Sequence, residues 1–572
     1  MEAEERREAI ARNWSDLTRR GLLGRAGTSA AGATALTLAG SPFSAALAAP
    51  ATQAPGGTLR FYDAAEPDTI DPQKASFLTE IDKIMRVFRN LLQNDKSGQL
   101  VPDQAESLPV VEEGGRVLTF TLKPGLTYSD GRPLTAADFE YGWKRHLDPG
   151  VAGQYAFTGY VIEGAEAYNT ADTRATPAAQ LQALRDAIGV RALNENTIQF
   201  RLTTAAPWFL SVLATWCGVP TRRDLVEQGG DNWTEPATYI GNGPYILTEW
   251  EHQSRMHFRA NPRFQPAPPP IPDIEYAQIN EPAVAFAAYL NDELDFVAVQ
   301  REDKPRVDGD PNLAAQFHQF PGSGTYYIGF NTKLPPFDNQ KVRAAFSFAL
   351  DRSGFVRNIL GGQGIPARQF IPPNFPGHFQ FELEEQTFNP TIGQRLLNEA
   401  GFGGGRGLPP IKFGYSSNAR SKTRIEAVAS QLKQSLGVDV QPDPVEARAY
   451  TALLKNQQTV PQMYLLGWFQ DYPDPQNWYS TVFNGKSTVS HTGWQNPEFD
   501  RLTNEADVEL DSVRRTEMYR QAAQILLNDA PVAFLWHSVA WLLVKPRVQG
   551  YREDPLEYFT GEHDLYNLRL TQ

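Results

Sequence analysis

Residues 411–440 read IKFGYSSNARSKTRIEAVASQLKQSLGVDV. Ile411, Phe413 and Tyr415 alternate with Lys412 and Gly414, the two-residue period of a strand. Thr423–Leu436 follows a helical pattern that Gly437 stops, and Val438-Asp-Val440 returns to strand. Strand, helix, glycine stop and strand make one unit of an α/β layer structure. The alternation continues on both sides. Tyr326–Phe330 is a strand, and Asp338 or Asn339 caps a helix whose face is Val342, Ala345, Phe346 and Ala349. Residues 391–400 form a helix ended by Gly401, residues 515–528 another, and 532–536 a strand. The second half is therefore α/β, with a mostly buried sheet.

The first half mixes the same elements less regularly. Residues 57–62, 116–122 and 196–202 alternate as strands. Apolar residues Ile81, Ile84, Met85, Phe88, Leu91 and Leu92 recur at three and four, which predicts a helix over 79–93. The turn Ser129-Asp130-Gly131 precedes a helix that begins at Thr135 and runs Ala136–His146. Prolines at 266–272 interrupt regular structure.

Composition narrows the class. Hydrophobic residues are 41% of 572, too many for a disordered chain. At roughly 100–200 residues per domain, that length predicts three or more modules. A formal charge of −13 argues against nucleic acid as a partner, because phosphate binding needs clustered Lys and Arg. One cysteine excludes a disulfide framework and a Cys-based metal site. That residue, Cys217, lies in an apolar stretch and reads as a buried inert thiol. Aromatics at 11%, with 11 Trp and 21 Tyr, exceed what a core needs and hint at a recognition surface.

The N-terminus reads as an address. Arg19 and Arg20 precede a Gly-, Ala- and Leu-rich run, and Ala46-Leu47-Ala48 fits a small-x-small cleavage site. The arginine pair resembles a twin-arginine signal, which exports folded proteins. The run is too weakly apolar for a spanning helix. With no cysteine at the cut, the expected product is exported and soluble, without a lipid anchor.

Motifs of catalysis are missing. None of the eight histidines makes the zinc-protease pattern, and no Gly-x-Ser-x-Gly elbow occurs. Gly485-Lys486-Ser487 lacks the glycine of a phosphate loop, since residue 480 is Ser. No catalytic residue, metal site or cofactor is expected, and a secreted hydrolase is the remote alternative.

The densest candidate is Leu466–Tyr479. It begins as the apolar strand Met463–Phe469 and breaks at Asp471-Tyr-Pro-Asp-Pro, where two prolines enforce a turn. Asp471 thus sits at a strand exit with Trp468, Tyr472, Trp478 and Tyr479 nearby in sequence. A carboxylate walled by rings would hold an ammonium group; equally, Asp471 would cap the turn and the rings would be core.

Longer motifs carry a resemblance. The run from Leu118 to Pro149, with Lys123-Pro-Gly-Leu-Thr-Tyr-Ser-Asp-Gly-Arg-Pro-Leu-Thr at its centre, resembles the signature of the family 5 extracellular solute-binding proteins. These include the oligopeptide- and dipeptide-binding proteins of bacterial ABC importers. Gly241-Asn-Gly-Pro-Tyr, Phe330-Asn through Asp351-Arg352, Leu396-Leu-Asn-Glu-Ala-Gly-Phe402 and Gly467-Trp-x-x-Asp471-Tyr match in the same order, over about 57–570.

The resemblance implies a two-lobed periplasmic-binding-protein fold, type II-like, with an extra domain and a hinge. It places lobe I in 57–90, 215–322 and 540–572, the extra domain in 91–214 and lobe III in 323–539, after a signal in 1–48. It implies a receptor that binds a peptide in the interlobe cleft like an added strand and delivers it to the transmembrane subunits of an ABC permease. An oligosaccharide, opine or metal chelate is the alternative ligand. By position the amine-binding aspartate falls on Asp471, beside Trp468. Strand partners fall on Gly467 and Phe469 from one lobe and on Ser76, Phe77 and Leu78 from the other, and a cleft tyrosine on Tyr155. The arginine that oligopeptide-binding members place two residues before Gly-Trp is Leu465 here; Arg420, Lys422 and Arg424 are the substitutes in reach of the pattern. The expected molecule is a periplasmic monomer without nucleic-acid partners.

Replacing Arg19 and Arg20 together by Lys should leave the precursor in the cytoplasm, read by fractionation and immunoblotting; normal export would assign the leader to the general secretory route.

Overall fold

The computed structural model describes residues 57–95, 99–381, 386–487, 489–551 and 568–571. Arg19, Arg20, Ala46 and Ala48 lie outside the described residues. Strand β1 (Thr58–Asp63) leads into helix α1 (Leu78–Val87). The sequence pattern runs that helix to 93, but Phe88 is already extended and Leu92–Asn94 pairs as a strand with Leu100–Pro102. Phe88, Leu91 and Leu92 are buried all the same, and a short buried apolar run does not separate helix from strand. Asn90 holds the extended path, its amide donating to the carbonyls of Thr215 (2.9 Å) and Cys217 (2.8 Å).

Next come β2 (Val110–Glu112), β3 (Val117–Thr121), helix α2 (Ala136–His146), β4 (Val190–Asn194) and β5 (Thr197–Arg201). The strands form an antiparallel sheet in the order β2-β3-β5-β4, with α2 against β4 and β5. The Thr135 N–H (2.8 Å) and hydroxyl (3.0 Å) both donate to Asp138, which fixes the start of α2. The chain then returns to β1. Strands β6 (Tyr245–Glu251), β7 (Arg255–Ala260) and β8 (Asp273–Gln278) complete a second sheet, β1-β8-β7-β6, in which only the β1–β8 pair is parallel.

The third sheet is the largest. It uses β9 (Phe296–Ala298), β10 (Phe317–Phe330), β11 (Ile411–Ser416), β12 (Val440–Val445), β13 (Met463–Phe469) and β14 (Val532–Val544). Their order is β9-β14-β10-β13-β11-β12, with Ile365–Pro366 paired on β14. Helix α3 (Ala419–Leu436) connects β11 to β12, which run parallel. This is the predicted unit, although its second strand starts at Val440 instead of Val438. Gly437 turns the chain at φ +74°, and Val438 packs into the core before pairing begins. Helices α4 (Ala447–Lys455) and α5 (Pro475–Phe483) flank β13 in sequence.

Both faces of this sheet are covered. Ile328, Phe330, Phe413, Ile425, Val428 and Phe469 pack together on one face. Tyr327, Tyr464, Leu466, Trp468, Trp478 and Phe534 pack on the other. Two-sided burial explains why β10 from Ser323 onward is buried almost without alternation. Three facing pairs on β10 and β13 set aromatic rings against glycines: Gly324 with Phe469, Tyr326 with Gly467, and Gly329 with Tyr464. The rings lie directly over the glycines. A Cβ at Gly324 would sit 2.2 Å from the Phe469 ring, and one at Gly329 2.2 Å from the Tyr464 ring.

Strands β10 and β14 reach beyond this core. Their far ends, Phe317 and Val539–Leu543, join Tyr289 and Val297 in a separate cluster beside β9. Between the two clusters the β10–β14 ladder is broken from Pro321 to Thr325. The Ser538 hydroxyl fills the break, accepting from Gly324 N–H (3.0 Å) and lying 3.2 Å from its carbonyl oxygen.

Two ion pairs on buried carboxylates tie the fold together. Asp295, fully buried, receives Arg547 through two bonds of 2.6 Å and the Arg60 N–H at 2.8 Å, which joins β1 to the chain after β14. Asp71 receives Arg145 of α2 through two bonds of 2.6 Å, and the Trp233 indole at 3.0 Å. Removing one partner from such a pair strands a buried charge and costs about 3–5 kcal/mol.

Gly324→Ala should destabilise the protein by about 1–3 kcal/mol, because the Phe469 ring must move. Urea unfolding measures it, and an unchanged midpoint would show that the ring-on-glycine contact is slack.

Candidate functional site

The site is built at the end of β13. Past Phe469, the Gln470 N–H donates to Ser323 O (3.0 Å), and the chain then leaves the sheet at Asp471. Asp474 caps α5, accepting from the Gln476 N–H (2.8 Å), so the first turn of α5 folds back beneath Asp471. Asn477, in that turn and fully buried, donates to Asp471 Oδ2 (2.8 Å) and accepts from the Asp471 N–H (3.0 Å). The carboxylate is therefore held in one orientation.

Its other oxygen faces a distant part of the chain. The Tyr155 hydroxyl, 316 residues away in sequence, donates to Asp471 Oδ1 at 3.2 Å. Trp216 lies edge-on to Tyr155 at 4.9 Å, and Phe157 is tilted against it at 5.6 Å. Next to them Trp208 stacks on Tyr472, with centroids 6.1 Å apart. Asp471 is 7% exposed, and burial pushes its carboxyl up to about 7 against the lowering effect of the bonds from Asn477 and Tyr155. Among the described residues no cation is its partner. Burial, then the charge of Asp471, raises the Tyr155 phenol well above its ordinary value. Burial likewise pushes the Cys217 thiol up to about 11, so it stays protonated and inert.

Ser76, Phe77 and Leu78 stand at the start of α1, with Phe77 as the cap and Leu78 the first helical residue. The N–H groups of Ser76 (2.7 Å) and Phe77 (2.9 Å) already donate to Glu80 Oε2. Burial pushes the Glu80 carboxyl up to about 7 as well. The Trp216 indole donates to Ala75 O (3.3 Å), which brings this segment next to the Tyr155 ring.

Gly467 and Phe469 share one face of β13, against Tyr326 and Gly324. Trp468 points the other way into the core. Trp478 and Tyr479 are core too, with the Trp478 indole on Gln470 (3.3 Å). Of the rings near Asp471 in sequence, Tyr472 is the one stacked across the gap. The edge of β13 is also open. Strand β11 pairs with it only at Met463 and Tyr464. The Tyr450 hydroxyl fills the fork, 2.8 Å from Leu465 O and 3.3 Å from Gly414 O. From Leu466 to Phe469 no strand lies on that side among the described residues.

Asn477, Trp216, Trp208 and Glu80 were not singled out in the sequence. Asn477 alone had a local signal, since it follows the Pro-Asp-Pro turn in the first turn of a helix. The described residues contain no group of three or more His, Cys, Asp and Glu placed to hold a metal, and no helix long and apolar enough to cross a membrane.

Comparison with known proteins follows the same lines. Residues 99–489 match the family model described as bacterial extracellular solute-binding proteins, family 5 Middle. The oligopeptide-binding protein OppA of Bacillus subtilis is 29% identical over 501 residues, covering 85% of this chain and 88% of that protein. The probable deoxycholate-binding periplasmic protein YgiS of Escherichia coli is 28% identical over 520 residues, covering 90% and 94%. Among solved structures, the periplasmic murein tripeptide-binding protein MppA in its unliganded open form superposes with a TM-score of 0.78 at 26% identity, covering 90% of this chain and 98% of that one.

The two raised carboxyls make stability depend on pH. Each titrates higher folded than unfolded, so the folded state holds the extra proton and the advantage is lost as pH rises through about 7. The stabilising contribution of these two groups in the unliganded protein should grow as pH falls from 8 to 5, by at most about 1.4 kcal/mol per pH unit for each. Asp471→Asn should flatten that slope in scanning calorimetry; an unchanged slope would remove Asp471 from the account.

Proposed function

The chain belongs to the bacterial extracellular solute-binding proteins of family 5, and we propose that it is the peptide-binding receptor of an ABC importer. One observation carries the reading: a buried carboxylate with no cation as partner among the described residues, at the tip of a strand whose edge is open. An extended peptide laid along Leu466–Phe469 gains main-chain hydrogen bonds that do not depend on its side chains. Its ammonium then meets Asp471, where low dielectric strengthens the charge pair. Gly467, Phe469 and Trp468 form the strand, Ser76, Phe77 and Leu78 approach from the facing side, and Tyr155 closes over the carboxylate. The names of OppA and MppA as oligopeptide- and murein tripeptide-binding proteins support this choice. The name of YgiS points elsewhere, but deoxycholate is an anion without an amine and has no use for a buried carboxylate.

In this reading the protein carries out no chemistry. Lobe I takes residues 57–90, 215–322 and 540–572, the extra domain 91–214 and lobe III 323–539. The break in the β10–β14 ladder at Pro321–Thr325, where both strands pass between clusters, is the hinge. A ligand touching both sides favours the closed form, and the permease senses closure. Twin-arginine export would deliver the receptor to the periplasm as a monomer.

Asp471→Ala should weaken binding of peptides with a free amino terminus by about 2 kcal/mol or more, roughly 30-fold. N-acetylation of the peptide should weaken binding to the wild type comparably. Titration calorimetry measures both. Equal affinity of wild type and variant would sink the amine anchor, and a sugar or metal chelate co-purifying with the protein would replace the peptide.

A further inference from the structure

Behind the Asp471 side of the crevice stands the first turn of α5, and a further layer of contacts holds that turn. Helices α6 (Pro497–Val508) and α7 (Ser512–Asp529) follow α5 in sequence and pack on each other and on it. From the first turn of α7, Arg515 reaches Asp474 with both arms of its guanidinium, Nη1 to Oδ2 at 2.9 Å and Nη2 to Oδ1 at 2.7 Å. Its Nε donates to Ala506 O near the end of α6 (3.0 Å), and the guanidinium lies 5.0 Å over the Tyr519 ring. One side chain thus fixes α5, α6 and α7 to one another. The side chains of Arg515 and Asp474 are only 12% and 10% exposed. Asp507, near the same guanidinium, takes the hydroxyls of Ser480 (2.6 Å) and Tyr519 (2.5 Å), so Arg515 is committed to Asp474.

The parts of α5 that meet the site hang from Asp474. Its carboxylate accepts from the Gln476 N–H and its carbonyl from the Asn477 N–H (3.1 Å). Gln476 in turn accepts from the hydroxyl of Tyr472, the ring stacked on Trp208. Asn477 makes both bonds to Asp471. Stability alone does not call for an arginine here. Asn or Ser caps a helix about as well as Asp does, without a charge to neutralise. A buried ion pair gains little over neutral residues of similar volume, because both charges must leave water. What a two-pronged arginine–carboxylate pair adds is direction, since both groups are planar and paired bonds fix their mutual angle. A charge pair at low dielectric is steep in distance, so direction is what a buried carboxylate needs to meet an ammonium.

We propose that Arg515 is a positioning residue for the ligand's amine: by gripping Asp474 it sets the first turn of α5, and Asn477 on that turn aims the Asp471 carboxylate. This rests on the peptide reading above and deepens it. Arg515 acts only through Asp474 and Asn477. Its loss leaves Asp471 present but free to turn away from Asn477.

Calorimetric titration with tri-alanine and with N-acetyl-tri-alanine tests this. The wild type should prefer the free amine. Arg515→Met should weaken tri-alanine about tenfold and leave the acetylated peptide unchanged. Arg515→Lys, which keeps the charge but not the fork, should recover part of the loss. Because Arg515→Met strands the Asp474 charge, it is also combined with Asp474→Asn. That double variant keeps a helix cap and should melt as the wild type does, yet show the same reduced preference. The pH profile gives a readout that a purely structural role would not move. With the Asn477 bonds loosened, the Asp471 carboxyl titrates higher, and the pH below which tri-alanine binding falls should rise by about half a unit. A double variant that folds with the wild-type preference, or an unchanged pH profile, would overturn the proposal and leave the amine site standing. Equal losses for the two peptides in Arg515→Met would overturn it as well. A wild type that does not distinguish the two peptides would overturn the amine reading itself.

Discussion

The site depends on how closely β10 and β13 approach each other. Aromatic rings lie across glycines at three facing pairs, and at Gly324 and Gly329 there is no room for even a methyl group. A one-residue slip in one direction would set Tyr326 against Trp468, and a slip in either direction would exchange the side chains of the two faces. The pairing therefore has one register. That register ends β13 at Phe469 opposite Gly324, and the next turn carries Asp471 out of the sheet beneath Tyr155. A contact between a ring and a glycine is apolar and carries no ligand chemistry. Yet it decides where the Asp471 carboxylate stands.

Around this frame the protein treats buried charge in two ways. Asp295 and Asp71 each receive an arginine through paired short bonds. Asp471 and Glu80 are as deeply buried, but amides, hydroxyls and backbone N–H groups are their partners, and their carboxyls are pushed up to about 7. Arg424 is set over the Trp536 and Tyr326 rings, with no acid as partner among the described residues. Groups of the first kind hold the fold together. The carboxyls of the second kind are held by neutral donors, and burial favours their protonated form.

Much of this was legible in residue order. The β11–α3–β12 unit follows from the change of period between Tyr415 and Thr423 and from the stop at Gly437. Asp471 was legible because prolines mark the exit of an apolar strand. Other features had no local trace. The partnership of Asp471 with Tyr155 joins positions 316 apart, and Trp208 and Trp216 reach the site from a third segment. The helix predicted to run to 93 stops at Val87 because Asn90 finds acceptors on Thr215 and Cys217, which only the tertiary fold supplies. Strand β14 runs on to Val544, past the predicted 536, because His537 and Ser538 interrupt the apolar pattern while binding Thr325 and Gly324. The glycine–aromatic pairs were visible as single residues but not as pairs, since pairing is a property of register.

The stack of Trp208 on Tyr472 has a consequence for observing the molecule at work. It joins two distant parts of the chain at the rim of the crevice, within a patch that also holds Trp216 against Tyr155. Both indoles sit where the walls meet, so any change in their separation alters the surroundings of a natural fluorophore. A change in the distance between these two parts of the chain would therefore register in the protein's own tryptophan fluorescence, without a dye.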